Sequence, residues 1–171
     1  MNNAVKRICA GIVLAGAMSP ALAAQPMRSA GTSVGGLEPG QMEIGGQLAW
    51  FKSDATDVGL AIVNGGYMVT DQLEAKVSWT ALLGDVSGGF ITPGADWLFT
   101  GLHPTVVPYA GGGYSLAYGD AEDLDSIDLH VGIKQFLTER IAIDYRLAYQ
   151  SPTDSAYDST QIMLIGFAYY L

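Results

Sequence analysis

Large apolar residues recur at every second position along most of the chain. In 160–171 they are Met163, Ile165, Phe167, Tyr169 and Leu171, and a period of two belongs to an extended strand, whose side chains alternate between faces. In 140–150, Ile141, Ile143, Tyr145, Leu147 and Tyr149 oppose Ala142, Asp144, Arg146, Ala148 and Gln150. In 73–84, Leu73, Ala75, Val77, Trp79, Ala81 and Leu83 oppose Glu74, Lys76, Ser78 and Thr80, and in 41–52, Met42, Ile44, Leu48 and Trp50 oppose Glu43, Gln47 and Ala49. Turn residues divide 41–171 into eight expected strands: 41–52, 57–69, 73–84, 89–100, 106–119, 126–137, 140–150 and 160–171. Nothing helical is predicted to cover their apolar faces.

These segments have the ~9–11 residues that a tilted membrane strand needs, whereas soluble strands are nearer ~5–6. Unpaired backbone groups are costly in lipid, so a sheet there must close on itself. The prediction is an all-β, closed, eight-stranded antiparallel up-and-down barrel with lipid outside and charge inside. A soluble lipocalin-like barrel is the alternative, and it would turn Val77, Ile143 and Leu147 into the lumen. Aromatic residues near strand ends are expected to form two interfacial girdles. One holds Trp50, Phe51, Phe90, Tyr118 and Tyr149; the other holds Tyr67, Trp97, Phe99, Tyr109 and Tyr169.

At the amino end, Lys6 and Arg7 precede an apolar run from Ile8 to Met18, then Pro20 and the small residues Ala21 to Ala24. That order is a secretory signal peptide, 1–24. Residues 25–40, rich in Gly, Ser and Pro, are assigned no structure and read as a flexible leader to the barrel domain 41–171. The single cysteine, Cys9, falls in the part expected to be removed, so no disulfide is expected. Loss of Lys6 and Arg7 takes the formal charge from -9 to -11, and a nucleic-acid partner is not expected of so acidic a chain.

Several stretches resemble the small outer-membrane barrel proteins of the OmpX and OmpA-barrel type. They are Pro108-Tyr109-Ala110-Gly111-Gly112-Gly113-Tyr114, Val131-Gly132-Ile133-Lys134-Gln135-Phe136-Leu137-Thr138, Ile143-Asp144-Tyr145-Arg146-Leu147-Ala148-Tyr149, and the alternating last strand. The resemblance implies an outer membrane location in a Gram-negative envelope. It also implies contact with outer-membrane lipid and lipopolysaccharide, and recognition of the last strand by the assembly machinery. The family usually ends in Phe or Trp; this sequence ends in Leu171, with Tyr169 and Phe167 on the same face. A monomer is expected.

The lumen of such a barrel should hold Glu43, Glu74, Lys76, Asp96, Asp128, His130, Lys134, Asp144 and Arg146 as a paired polar plug. No catalytic, cofactor or metal residue is assigned. The expected role is non-enzymatic, in envelope integrity or surface interaction. One alternative is a narrow channel, if Gly111, Gly112, Gly113, Gly132 and Gly166 face inward and leave space. Another is a lipid A-modifying enzyme built on His130 with Asp128 and Ser115, although Gly132 stands where the deacylase barrels carry Ser. His103, beside Pro104, falls in a turn on the periplasmic side. The carboxylates of 120–125 are read as a solvated acidic loop rather than a divalent cation site.

Overall fold

A computed structural model of the protein describes residues 37–53, 56–84, 87–121 and 124–171, without the side chains of 50–57. The expected signal peptide lies outside the described residues. Eight strands follow in order: β1 (Met42–Ser53), β2 (Thr56–Met68), β3 (Leu73–Gly84), β4 (Gly88–Leu98), β5 (Val106–Gly119), β6 (Ser126–Phe136), β7 (Ile141–Pro152) and β8 (Thr160–Tyr170). Each pairs antiparallel with its neighbour in sequence, and β8 returns to β1 to close the barrel. The sequence expectation of eight strands and a closed sheet therefore holds, with boundaries displaced by two residues at most.

The sorting of side chains is that of a membrane barrel. Val77 is 49% exposed, Leu147 51% and Val131 54%, whereas Glu74 and Lys134 are fully buried. The soluble alternative required Val77 and Leu147 in the lumen, and they face outward. An apolar exterior around a charged interior is stable only where lipid replaces water outside.

Strand β4 carries Pro93, which has no N–H for the ladder. The β4–β5 register runs from Gly88↔Gly119 to Ile91↔Leu116, then resumes at Gly94↔Gly113. Across this gap a side-chain bond, Thr92 Oγ1 to Ser115 Oγ at 2.8 Å, joins the two strands inside the barrel.

The end of the barrel where Gly40 and Leu171 lie is termed the base, the other the mouth. At the base, two turns repeat one device. Thr70 Oγ1 accepts from the N–H groups of Gln72 and Leu73, and Thr138 Oγ1 accepts from those of Arg140 and Ile141. A hydroxyl that satisfies two backbone donors fixes a tight turn without glycine. In the third base turn His103 Nδ1 accepts from the Thr105 N–H at 3.2 Å. The last four residues of the 25–40 segment, expected to be a flexible leader, are instead held in place: Gly40 N–H bonds to the Met68 carbonyl, and Leu37 is buried among Met68, Leu98, Val107, Phe136 and Tyr170. Burying one leucine side chain stabilises by about 1.5–3 kcal/mol, enough to hold this short segment in the base.

At the mouth, Gly88 and Gly119 both have positive φ, and a Cβ on Gly119 would stand 2.7 Å from the Gly88 Cα. Only glycine lets the β3–β4 and β5–β6 connections meet this closely. There Asp120 accepts from the hydroxyl of Ser87 at 2.8 Å and from its N–H at 3.0 Å. These bonds, the hydroxyl first, hold the Asp120 carboxyl below its ordinary range. Asp125 Oδ1 accepts from the Ala117 N–H at 2.8 Å.

Two outcomes follow for the exterior and the mouth. Leu147→Arg, which puts a cation on the lipid face, should destabilise the barrel in vesicles by ~2–4 kcal/mol if the site lies near the bilayer midplane, measured by denaturant titration; a change below a few tenths would place the residue away from lipid. Asp120 stabilises its contact while ionised, so that contact persists above the ordinary carboxylate range and is lost as pH falls through its lowered pKa. Ser87→Ala, which removes the hydroxyl and leaves the backbone N–H, should raise that pKa toward the ordinary carboxylate range, as read from the carboxyl carbon resonance.

Candidate functional site

The lumen is where this chain concentrates charge, and alternation explains how. Glu43 on β1, Glu74 and Lys76 on β3, Asp96 on β4, Asp128, His130 and Lys134 on β6, and Asp144 and Arg146 on β7 all point inward and are buried. Lys134 Nζ pairs with Glu43 Oε2 and with Glu74 Oε2 at 2.9 Å, and donates to the Tyr170 hydroxyl at 2.8 Å. Lys76 lies 3.2 Å from Glu43, 3.1 Å from Asp96 and 3.9 Å from Glu74. Two lysines therefore hold three carboxylates. Tyr170 completes this layer by donating to Glu43 Oε2 at 2.6 Å.

No ion pair within 4 Å among the described residues includes Asp144. It accepts from the Tyr109 hydroxyl at 2.7 Å and from Gln47 Nε2 at 2.9 Å. His130 sits between two carboxylates, with Nδ1 2.5 Å from Asp128 and Nε2 2.6 Å from Asp96. Arg146 Nη2 stands 2.8 Å from His130 Nε2. Buried charges are tolerable when paired and hydrogen-bonded in this way. Among the described residues, three buried side-chain atoms have no hydrogen-bond partner: Gln47 Oε1, Glu74 Oε1 and Arg146 Nε.

Two residues expected in the girdles belong to the lumen instead. Tyr109 is 1% exposed, bonds to Asp144, and lies under both lysines, with Lys134 Nζ 5.5 Å and Lys76 Nζ 5.9 Å from its ring centre. A cation over an aromatic face is attracted by the ring quadrupole. Phe90 shares the inward parity of Asp96 and lines a cavity at the mouth. Of the remaining girdle residues, Tyr118 and Tyr149 face outward near the mouth, and Tyr67, Trp97, Phe99 and Tyr169 near the base. Trp50 lies on β1 opposite Gly59, its side chain outside those described, as is that of Phe51.

The inward glycines do not leave a channel at the level of the lysines. A Cβ on Gly132 would strike the Tyr109 ring, one on Gly111 would strike Asp96 and His130, and one on Gly166 would strike Gln47. Gly112 has the opposite parity and faces Leu129 on the outside. Below this level the apolar group of Leu37, Met68, Leu98, Val107, Phe136 and Tyr170 closes the base.

The Ser115 and His130 arrangement considered for lipid A chemistry does not form. Ser115 Oγ is bonded to Thr92, and His130 is held in the lumen by Asp96 and Asp128, away from the lipid face. Among the described residues, no group of three or more His, Cys, Asp or Glu side chains is arranged to hold a metal ion.

No family model matches the chain, and no curated protein is significantly similar to it. Solved structures are similar. The N-terminal β-barrel domain of Pseudomonas aeruginosa OprF has a TM-score of 0.64 at 18% identity, covering 78% of this chain and 98% of that one. A de novo designed transmembrane β-barrel has a TM-score of 0.61 at 16% identity, over 78% and 98%. The outer membrane protein OprG from Pseudomonas aeruginosa has a TM-score of 0.54 at 14% identity, over 81% and 99%. The chain is thus a transmembrane β-barrel. Its fold is that of the small eight-stranded outer-membrane barrels.

The weight carried by the shared lysines can be measured. Lys134→Met would leave Glu43 and Glu74 short of a cation and should cost about 3–5 kcal/mol. Adding Glu43→Gln should recover part of that loss, a coupling that unfolding of all four cycle members in vesicles would report. Simple additivity would show that the two side chains do not share the charge.

Proposed function

We propose that this protein is a non-enzymatic barrel of the outer membrane that supports envelope integrity and presents a surface to the exterior. The observation that carries the reading is the lumen plugged at the level of the lysines. Lys134 and Lys76 tie together residues from β1, β3, β4 and β8, so side chains from opposite walls meet across the centre, and the Leu37 cluster closes the base beneath them. A small barrel has an interior only wide enough for side chains, and here they are mutually bound. Moving ions through it would require separating buried charges, at several kcal/mol per ion.

In this reading the exterior works with lipid. The outward aromatic rings sit at the level of the headgroups, and the acidic connections at the mouth face lipopolysaccharide. The assembly machinery reads the outward face of β8, with Phe167, Tyr169 and Leu171. The barrel acts as a monomer, since no part of the lumen needs a second copy to close it.

Planar-bilayer recording of purified protein tests the proposal. A bilayer without discrete conductance steps is expected across physiological voltages. Reproducible steps abolished by substitutions in the lumen would overturn it and establish a narrow channel.

A further inference from the structure

Above the lysine layer the lumen is not filled. A cavity of about 60 Å³ lies toward the mouth, walled by Leu60, Ile62, Ile162 and Leu164 and floored by Arg146 and His130. The four aliphatic residues form one buried cluster on one side of the lumen, from β2 and β8, the two strands that flank β1. An apolar wall with a few convergent polar groups is the common form of a small-molecule site.

Arg146 is the group that points to a ligand. It is 8% exposed, and its Nε has no hydrogen-bond partner. Lys76 and Lys134 are each surrounded by carboxylates, but no ion pair among the described residues includes Arg146. The carboxylates nearby are engaged elsewhere: Asp96 with Lys76 and His130, Asp128 with His130, Asp144 with Tyr109 and Gln47. A buried guanidinium without a counter-ion is a costly arrangement that an anion would relieve. Its planar fork suits a carboxylate.

We infer that the mouth-side cavity binds a small amphiphilic monocarboxylate, with its head on Arg146 and a short apolar tail along Leu60, Ile62, Ile162 and Leu164. The class follows from three features. The apolar wall favours a hydrocarbon tail over a sugar. The small volume excludes a lipid headgroup. Lys76 on the lining is already paired with Glu43 and Asp96, so Arg146 is the cation open to a ligand, and Asp96 and Asp128 repel a doubly charged anion such as phosphate more than a singly charged one.

The test uses the full barrel in phosphatidylcholine nanodiscs, with arginine side chains and Ile and Leu methyl groups labelled for NMR, titrated with sodium butyrate. Saturable shifts are expected at the Arg146 Nε–H and at the Ile162 and Leu164 methyls. Arg146→Gln should weaken butyrate binding at least about tenfold, the scale of one charged hydrogen bond. Ile162→Trp, which fills the cavity from the neighbouring strand β8, should abolish binding while retaining the Arg146 guanidinium, so the inference stays testable if the Arg146 variant fails to fold. Equal binding of 1-butanol would reduce the site to an apolar crevice. Stronger binding of butylammonium would assign it to Asp96 and Asp128. Either of these, or wild-type protein that gives no saturable shift, overturns the inference.

Discussion

A backbone N–H or carbonyl left unpaired in hydrocarbon costs several kcal/mol, and every other feature of this chain answers to that constraint. The sheet must close, and it does so through the ladder from Glu43↔Tyr170 to Gln47↔Gly166 between β1 and β8. That seam is also where the plug is anchored. Lys134, reaching from β6, binds Glu43 on one side of the seam and Tyr170 on the other. The contact that fills the lumen therefore also straddles the junction between the first and last strands.

Closure makes one face of every strand line a narrow interior, and the choice of polar residues there has a physical consequence beyond pairing. Buried ion pairs contribute little net stability compared with apolar packing of equal volume. In a barrel whose exterior is already apolar, an apolar lumen would leave the two faces of a strand alike. With Glu74, Lys76, Lys134 and Asp144 inside, slippage of one residue would carry charges into lipid. The plug thus fixes register.

Most of the fold was legible because alternation is strong where both faces are distinct, as in Leu73 to Leu83 and Ile141 to Gln150. The nine charged and imidazole residues that meet in the lumen stand out in such strands. Tyr109 was not legible, because the three glycines Gly111 to Gly113 erase the alternation that would have tied its parity to Ser115. Phe90 was read from its position near a strand end, and Pro93 and Gly94 obscured its relation to Asp96. In the last strand the large outward residues drew attention from Ile162, Leu164 and Tyr170, which line the lumen. Which charges meet across the barrel could not be read at all. Lys134 and Glu43 are 91 residues apart, and the stagger of eight strands, not any local pattern, sets them at one level.

That stagger also explains why the barrel is filled at one level and open at another. Strand number sets the interior width, so each large inward group must be matched by a missing one beside it. Glu74 lies over Gly66, Asp96 and His130 over Gly111, Tyr109 over Gly132, and Gln47 over Gly166. Nearer the mouth, Gly94 and Gly113 also face inward and pair with each other, but their nearest neighbours are backbone atoms and the short Thr92 side chain. No long side chain folds over them. Glycine therefore makes room for the plug where a large polar residue stands next to it, and the mouth-side cavity begins where none does.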